Sequence, residues 1–178
     1  MRTIARIGVL AAVMALVPVV VNADVLTVSP TQAAVLPADG SGVTKVLVQF
    51  DVSGIEATEG LHVSEAVLDW QVSGMPADRH SEYALHVPAQ AWTAGAAEEG
   101  EGPAFPEEAH QLWDYEPLDY ERNGGGLLRF SLGALVRSWI AGDAANHGVL
   151  IASEDLDPEA VQSALGNATL TVYYGRFE

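Results

Sequence analysis

The amino-acid sequence predicts an all-β fold, an antiparallel β-sandwich with one short helix at about residues 132–141. Most apolar residues after residue 23 recur with a period of two, which is typical of strands with one buried face. Glycine and proline clusters separate these runs, and one stretch has clear helical spacing. No internal repeat is visible, and residues 24–178 are as many as one ordinary domain requires. We therefore expect a single sandwich domain.

The first 23 residues have the pattern of a secretory signal peptide. Arg2 and Arg6 form a basic head, an uncharged apolar run follows at residues 7–21, and small residues precede Asp24. A membrane anchor is the alternative interpretation, but the run is short for a membrane span. We expect cleavage after residue 23 and secretion of a protein without a membrane span, either to the periplasm or outside the cell.

The chain is strongly acidic, with 24 Asp and Glu residues, eight Lys and Arg residues and a formal net charge of −16. Because the signal peptide contains two of the eight basic residues and no acidic one, its removal changes the net charge to −18. Such a surface disfavours nucleic acid and polyanionic glycans, which bind to clustered cations. The chain has no cysteine, which excludes disulfides, thiol catalysis and cysteine-ligated zinc.

Strands account for most of the first half of the predicted domain. They are expected at residues 25–29, 33–36, 43–52, 62–72 and 83–87. Pro30, Pro37 and Pro88 follow the first, second and fifth of these runs, and proline disfavours continuation of a strand. Trp70 is in phase with the apolar residues of the fourth run, so we expect it in the core.

An acidic insertion occupies residues 94–121, which contain nine Asp or Glu residues and no Lys or Arg. It has no clean period, so we expect a long loop without regular secondary structure. Three glycines predict that its first half is mobile. In the second half, Trp113, Tyr115 and Leu118 are expected to fold onto one face of the sandwich.

The central stretch at residues 127–151 reads as a strand, a short helix, a turn and a second strand. One apolar stripe has the spacing i, i+3, i+4, i+7 and i+8, formed by Leu132, Leu135, Val136, Trp139 and Ile140. We expect Ser131 or Gly133 to cap this helix and Gly142 to end it. Trp139 is predicted to be buried against the strands of Phe50 and Leu128. A helical turn at 158–165 and a closing strand at 169–174 complete the domain.

The order of several segments resembles the DNRLRE domain. Residues 45–55 resemble that family's strand LlrFdlsgi, and residues 64–68 resemble the strand v..A.L.l that follows it. Further matches, in chain order, are residues 87–92 with v..v...W, residues 132–151 with vt.lVq.W..g...n.Gl.l, and residues 170–174 with L.v.y. The resemblance covers most of the chain after residue 43.

The resemblance implies a jelly-roll-like β-sandwich that is secreted and usually non-catalytic. Some members of the family are carbohydrate-binding modules, so a glycan is an expected partner. The sequence departs from the family at Ser131-Leu132-Gly133, where Asp-Val-Thr is usual, and at the acidic insertion, which replaces a tryptophan-asparagine pair. Because function depends on a site rather than on a fold, these departures affect the ligand site more than the fold.

The candidate ligand-binding residues are aromatic. Trp92 follows a strand end, and an exposed ring there would stack on a sugar; the alternative is that it caps the edge of the sandwich. Trp113, Tyr115 and Tyr120 lie among acids, an arrangement that suits a neutral sugar surface. The alternative for these three is that they attach a long loop to the sheet.

Calcium is a second candidate ligand, because carboxylate oxygens are its usual partners. Four acids occur within eight residues: Asp114, Glu116, Asp119 and Glu121. Their spacing is not that of an EF-hand, and a solvated acidic loop is the alternative interpretation. His80 and His86 are six residues apart without a recognisable third metal ligand.

Two functional hypotheses follow from the sequence. The first is a secreted, non-catalytic module that binds polysaccharide or cell-surface glycan. The second is a structural or assembly protein of the envelope, which has protein partners and no sugar site. An enzyme is not expected, because the sequence contains no nucleophile motif of the G-x-S-x-G type and no recognisable metal set.

Overall fold

The computed structural model describes residues 21–73, 83–104 and 126–177. These residues form two four-stranded antiparallel sheets and a few short helices. The strands are β1 (Val21–Val28), β2 (Pro30–Val35), β3 (Thr44–Phe50), β4 (Leu61–Gln71), β5 (Ala84–His86), β6 (Leu127–Ser131), β7 (Val149–Ser153) and β8 (Ala168–Phe177). The α-helices are α1 (Ala94–Glu98), α2 (Gly133–Ala141) and α3 (Pro158–Ala164), and a 3₁₀ turn (Leu165–Asn167) follows α3.

Sheet 1 has the strand order β1-β8-β4-β6, and sheet 2 has the order β2-β3-β7-β5. Every pairing in the two sheets is antiparallel. The inner faces of both sheets contribute to one main core, so the arrangement is sandwich-like. The all-β, antiparallel prediction is therefore confirmed.

The alternation of apolar residues in the sequence gives the inner faces their composition. Val46, Val48 and Phe50 of β3 face the main core, as their period of two predicted. From the opposite sheet Trp70 contributes the largest fully buried side chain. Its indole Nε1–H donates to the Ala164 carbonyl at 2.9 Å, so the nitrogen is buried without leaving a donor unsatisfied.

Helix α2 agrees with the predicted range and ends where the sequence indicated. Gly142 adopts the left-handed conformation with φ 78°, and its N–H bonds to carbonyls of the last turn. Trp139 is 7 % exposed and belongs to the same core as Phe50 and Leu128, which confirms its predicted burial. Its indole N–H has no acceptor among the residues that the structure describes.

The predicted cap of α2 is wrong. The cap position is occupied by Leu132, and no side chain caps the helix. Leu132 is fully buried, and its N–H donates to the Ala66 carbonyl of β4 at 2.8 Å. Burial and a bond to the sheet therefore determine where the strand turns into the helix.

The prediction of a single short helix is also wrong for the described residues. Helix α3 lies in the stretch at 158–165 where only a helical turn was expected, with Asp157 as its N-cap and Pro158 in its first turn. Helix α1 lies in the stretch that was expected to lack structure, and Thr93 caps it. This helix contains Gly95 and is followed by Gly100 and Gly102, which all have low helix propensity. Since Ala97 is fully buried, tertiary packing stabilises the helix despite these glycines.

The described helices are all short, and α2 is the longest with nine residues. In this part of the chain no helix has the length and apolarity needed to cross a membrane.

Candidate functional site

The outer face of sheet 2 is covered by the segment that follows β5. Ala34, Leu47 and Leu150 project from three neighbouring strands of this face and form a second, smaller core with Trp92 and Ala97. Sheet 2 is therefore buried on both sides, and every residue of β7 is buried.

Hydrogen bonds attach this cover to the turn between α2 and β7. The indole N–H of Trp92 donates to the His147 carbonyl at 2.8 Å. Asn146 donates from Nδ2 to the Phe50 carbonyl at 2.7 Å and accepts the Gly148 N–H at 3.1 Å. Gln49 donates to the Asn146 carbonyl at 2.6 Å. The turn, β3 and Trp92 thus form one connected polar network, which we call the turn lock.

Gly148 is required in the turn lock for two reasons. Its φ is +78°, a conformation that side chains rarely adopt. A Cβ at this position would lie 2.1 Å from the carbonyl oxygen of Val48, a backbone atom that has little freedom to move. The Asn146-His147-Gly148 segment, which carries part of the family resemblance, therefore has a structural role in this chain.

Trp92 does not have the exposed ring that the sugar-stacking hypothesis required. It is 7 % exposed, and its single donor is used in the turn lock. The alternative interpretation, that it caps the edge of the sandwich, agrees with this burial. The apolar outer face of sheet 2 explains this burial, because packing the indole ring against it removes apolar surface from water.

The other candidate residues of the sequence lie outside the described residues. This applies to the aromatic candidates Trp113, Tyr115 and Tyr120, to the calcium candidates Asp114, Glu116, Asp119 and Glu121, and to His80. Their roles stay predictions.

The outer face of sheet 1 has no such cover among the described residues. Val25 on β1 is 57 % exposed, and its neighbour Tyr173 on β8 is 41 % exposed. These two are the large hydrophobic residues that the described surface exposes. On the other neighbouring strand, β4, Glu65 pairs with Tyr173. Val25, Tyr173 and Glu65 therefore form one row across three strands of the sheet.

Charged side chains lie on the same face as Tyr173. Arg129 of β6 lies opposite Asp69 of β4 and forms a bidentate ion pair with it, at 2.6 Å from Nε and 2.8 Å from Nη2. The two side chains are 40 % and 31 % exposed. The hydrogen bonds that Arg129 donates to Asp69 raise the pKa of Arg129, against a smaller opposing effect of burial. Glu65 and Tyr173 raise it further, which means that they lie within electrostatic reach of Arg129.

Strand β4 has a β-bulge beside Tyr173. The register of β4 against β8 shifts between Val63 and Glu65, and the extra residue is Ser64. The Ser64 hydroxyl donates to the Tyr173 carbonyl at 3.0 Å. Bulges are common next to functional sites because they re-aim a side chain. Thr171 lies two residues from Tyr173 on β8 and has the same outer phase. Tyr173, Thr171, Glu65, Asp69 and Arg129 together form what we call the sheet 1 platform.

The sheet 1 platform offers an exposed aromatic ring beside charged and hydroxyl groups. A pyranose ring has an apolar C–H face that stacks on tyrosine, and its hydroxyls pair with carboxylates and guanidinium groups. The sequence contained a signal for this site, since Leu170, Val172 and Tyr174 share one phase and Tyr173 has the opposite one. The sequence prediction instead assigned the ligand site to aromatic residues outside the regular strands.

A cleft of about 670 Å³ lies at one end of the sandwich, between the β2–β3 turn and the start of α3. Its acids are Asp39, Glu154, Asp155 and Asp157. Two of them have structural partners, because Asp157 caps α3 and Asp39 accepts hydrogen bonds from Lys45 and the Ser41 N–H. These bonds hold the pKa of Asp39 well below its usual range. Nowhere in the described chain do three or more potential metal ligands cluster.

Comparisons with known proteins add no family to these observations. No family model matches the chain, and a search of curated proteins gives no significant match. The resemblance to the DNRLRE domain therefore rests on the segments of the sequence in which it is visible.

Proposed function

We propose that this protein is a secreted, non-catalytic module that binds a neutral glycan on the sheet 1 platform. The observation that supports this most is the exposure of Tyr173 on the outer face of sheet 1, within electrostatic reach of the Arg129–Asp69 pair. An aromatic ring with fixed hydrogen-bonding neighbours is the combination that sugar recognition requires.

The charge of the platform favours a neutral glycan over an acidic one. Glu65 and Asp69 flank Tyr173 and Arg129, and Asp69 already neutralises the arginine. A uronate or sulfate would therefore meet more negative than positive charge, in a chain with a net charge of −16. Carboxylates accept hydrogen bonds from sugar hydroxyls without this penalty.

The finer features of the fold and its location belong to the same proposal. A jelly-roll connection of the two sheets and membership of the DNRLRE-type modules fit the order of the matched segments. Secretion fits the signal pattern of residues 1–23. Strand β1 begins at Val21, so cleavage after residue 23 leaves the pairs from Asp24–Tyr174 to Val28–Leu170 in place.

The test is binding of residues 24–178 to a panel of neutral and acidic polysaccharides, measured by affinity electrophoresis and calorimetry. We expect binding to at least one neutral glycan. Tyr173→Ala should abolish it, whereas Tyr173→Phe, which keeps the ring, should retain most of it. Gln162→Ala, at an exposed position of α3, serves as the matched control. A panel without any binding, or binding that Tyr173→Ala leaves unchanged, would refute the proposal.

The alternative is a structural or assembly protein that uses β1 to bind another protein. β1 is an edge strand of sheet 1, and Val25 exposes apolar surface there. Exposed edges of this kind invite strand pairing. If no glycan binds while the protein self-associates in sedimentation, and Val25→Lys abolishes the association, this alternative replaces the first.

A further inference from the structure

A second pocket lies between the start of β4, the loop before it and the last turns of α2. Its volume is about 250 Å³, and apolar side chains, among them Leu61, Val63 and Ile140, form most of its lining. His62 and Arg137 also line it. The side chains of Leu61 and Ile140 pack on the main core, which gives the pocket a fixed apolar floor. It is separate from the sheet 1 platform, because none of the platform residues lines it.

The charged side chain in the lining of this pocket is basic, whereas the chain as a whole is acidic. No Asp or Glu is part of its lining, although the chain has three times as many acidic as basic residues. Glu59 is exposed in the adjacent loop and does not line the pocket. The larger cleft, by contrast, is lined by four acids. Of these two pockets, the small one is therefore the one whose lining suits an anion.

Arg137 is held in position without being neutralised. Its Nη1 donates to the Val63 carbonyl at 3.1 Å. Lys45 and Arg129 each form an ion pair, whereas Arg137 forms none with the described residues. The guanidinium fork keeps further N–H groups for an acceptor, and its planar geometry matches a carboxylate.

We propose that this pocket binds a small apolar group that carries one carboxylate. The carboxylate bonds to Arg137, with His62 as a second polar neighbour, and the apolar part covers Leu61 and Ile140. A volume of 250 Å³ corresponds to about eight waters at ~30 Å³ each, so the ligand has roughly eight non-hydrogen atoms. This chemistry occurs both in short free carboxylic acids and in the carboxyl terminus of a peptide with an apolar last residue.

Hexanoate and N-acetyl-leucine represent these two sources, and hexanamide is the uncharged match of hexanoate. Binding is followed by chemical-shift titration of the isotope-labelled protein. We expect saturable shifts at residues 61–63 and 137–141 with at least one of the two acids, and much smaller shifts with hexanamide. The acid that binds more tightly identifies the source.

Two variants test the site. Arg137→Gln should weaken binding about tenfold, the effect of one charge-assisted hydrogen bond. Lys45→Gln, which removes the same charge at a residue that does not line the pocket, should leave binding unchanged. Ala57→Leu fills the pocket from an exposed loop position and keeps Arg137, so it should block binding even if Arg137→Gln impairs folding. The proposal fails if neither acid saturates, if hexanamide binds equally, or if Ala57→Leu has no effect.

Discussion

The two sheets of this protein differ in what lies on their outer faces. Sheet 2 is buried on both sides, because Trp92 and α1 cover Ala34, Leu47 and Leu150. Sheet 1 has one buried face, and its other face carries Tyr173 and the Arg129–Asp69 pair with considerable exposure. The strands predict this difference in part, since β7 is apolar on both faces and β3 carries Leu47 on its outer face, whereas the outer residues of β4 and β8 are largely polar.

The aromatic residues on the two outer faces differ in their exposure. Trp92 packs its ring against sheet 2 and donates its indole N–H within the turn lock. A tyrosine on sheet 1 keeps much of its ring in solvent. Aromatic residues in a sequence are therefore poor evidence for a ligand site until the covering of each sheet face is known.

The strongest test of this comparison replaces one aromatic residue on each face. Trp92→Ala removes a buried ring and leaves the His147 carbonyl without its donor, so it should lower the free energy of unfolding by ~3–5 kcal/mol. Tyr173→Ala should lower it by about 1 kcal/mol or less, because Tyr173 lies at the surface with 41 % of its area exposed. Denaturant unfolding at equilibrium measures both values. Equal losses would mean that both faces are covered alike.

The turn lock is tested by two glycines with the same backbone conformation. Gly148→Ala should cost ~2–4 kcal/mol, since strain at positive φ adds to a clash with the Val48 carbonyl. Gly142→Ala shares φ +78° but meets nothing within 4 Å, so it should cost only about 1 kcal/mol. Thermal and denaturant melts of both variants give the difference. Similar losses would show that the turn can move away from β3.

The ion pair of the sheet 1 platform is expected to matter little for stability. Asp69→Asn removes a partly exposed carboxylate and should change the free energy of unfolding by less than ~1 kcal/mol. If the platform binds a glycan, the same change should weaken binding, because Arg129 loses the partner that orients it. Parallel measurement of unfolding and glycan affinity distinguishes the two effects. A large loss of stability would assign the pair to structure.

The smallest effect concerns His86, which lies next to Leu150 on the covered face of sheet 2. Burial lowers the pKa of His86, and the charge of Lys45 lowers it further. A lowered pKa in the folded state means that the unfolded chain binds the proton more readily, so stability should fall as pH drops through the ordinary histidine range near 6.5. His86→Gln should reduce this fall between pH 7 and pH 5, as measured by melting temperature. An unchanged pH dependence would contradict the assignment.

Much of the fold was predictable because local patterns encode it. The period of two located β3, β4, β6 and β8, and the helical stripe with Gly142 located α2. The cap of α2 and the helix α1 were not predictable, since Leu132 and Ala97 are positioned by burial in two different cores. The candidate site was predictable in part, because the phase of β8 already placed Tyr173 opposite the core residues.

The sequence by itself determined which residues lie on the same side of each strand, where α2 ends, and that the surface is acidic. These properties depend on backbone periodicity, on the conformation of a single glycine and on composition. Only the tertiary structure decided that Trp92 is buried, that Asn146 and Gly148 hold the α2–β7 turn on β3, and that Glu65, Asp69, Arg129 and Tyr173 share one face. The reason is that these contacts join parts of the chain that are 55 or more residues apart, and no local pattern records which distant segments will meet.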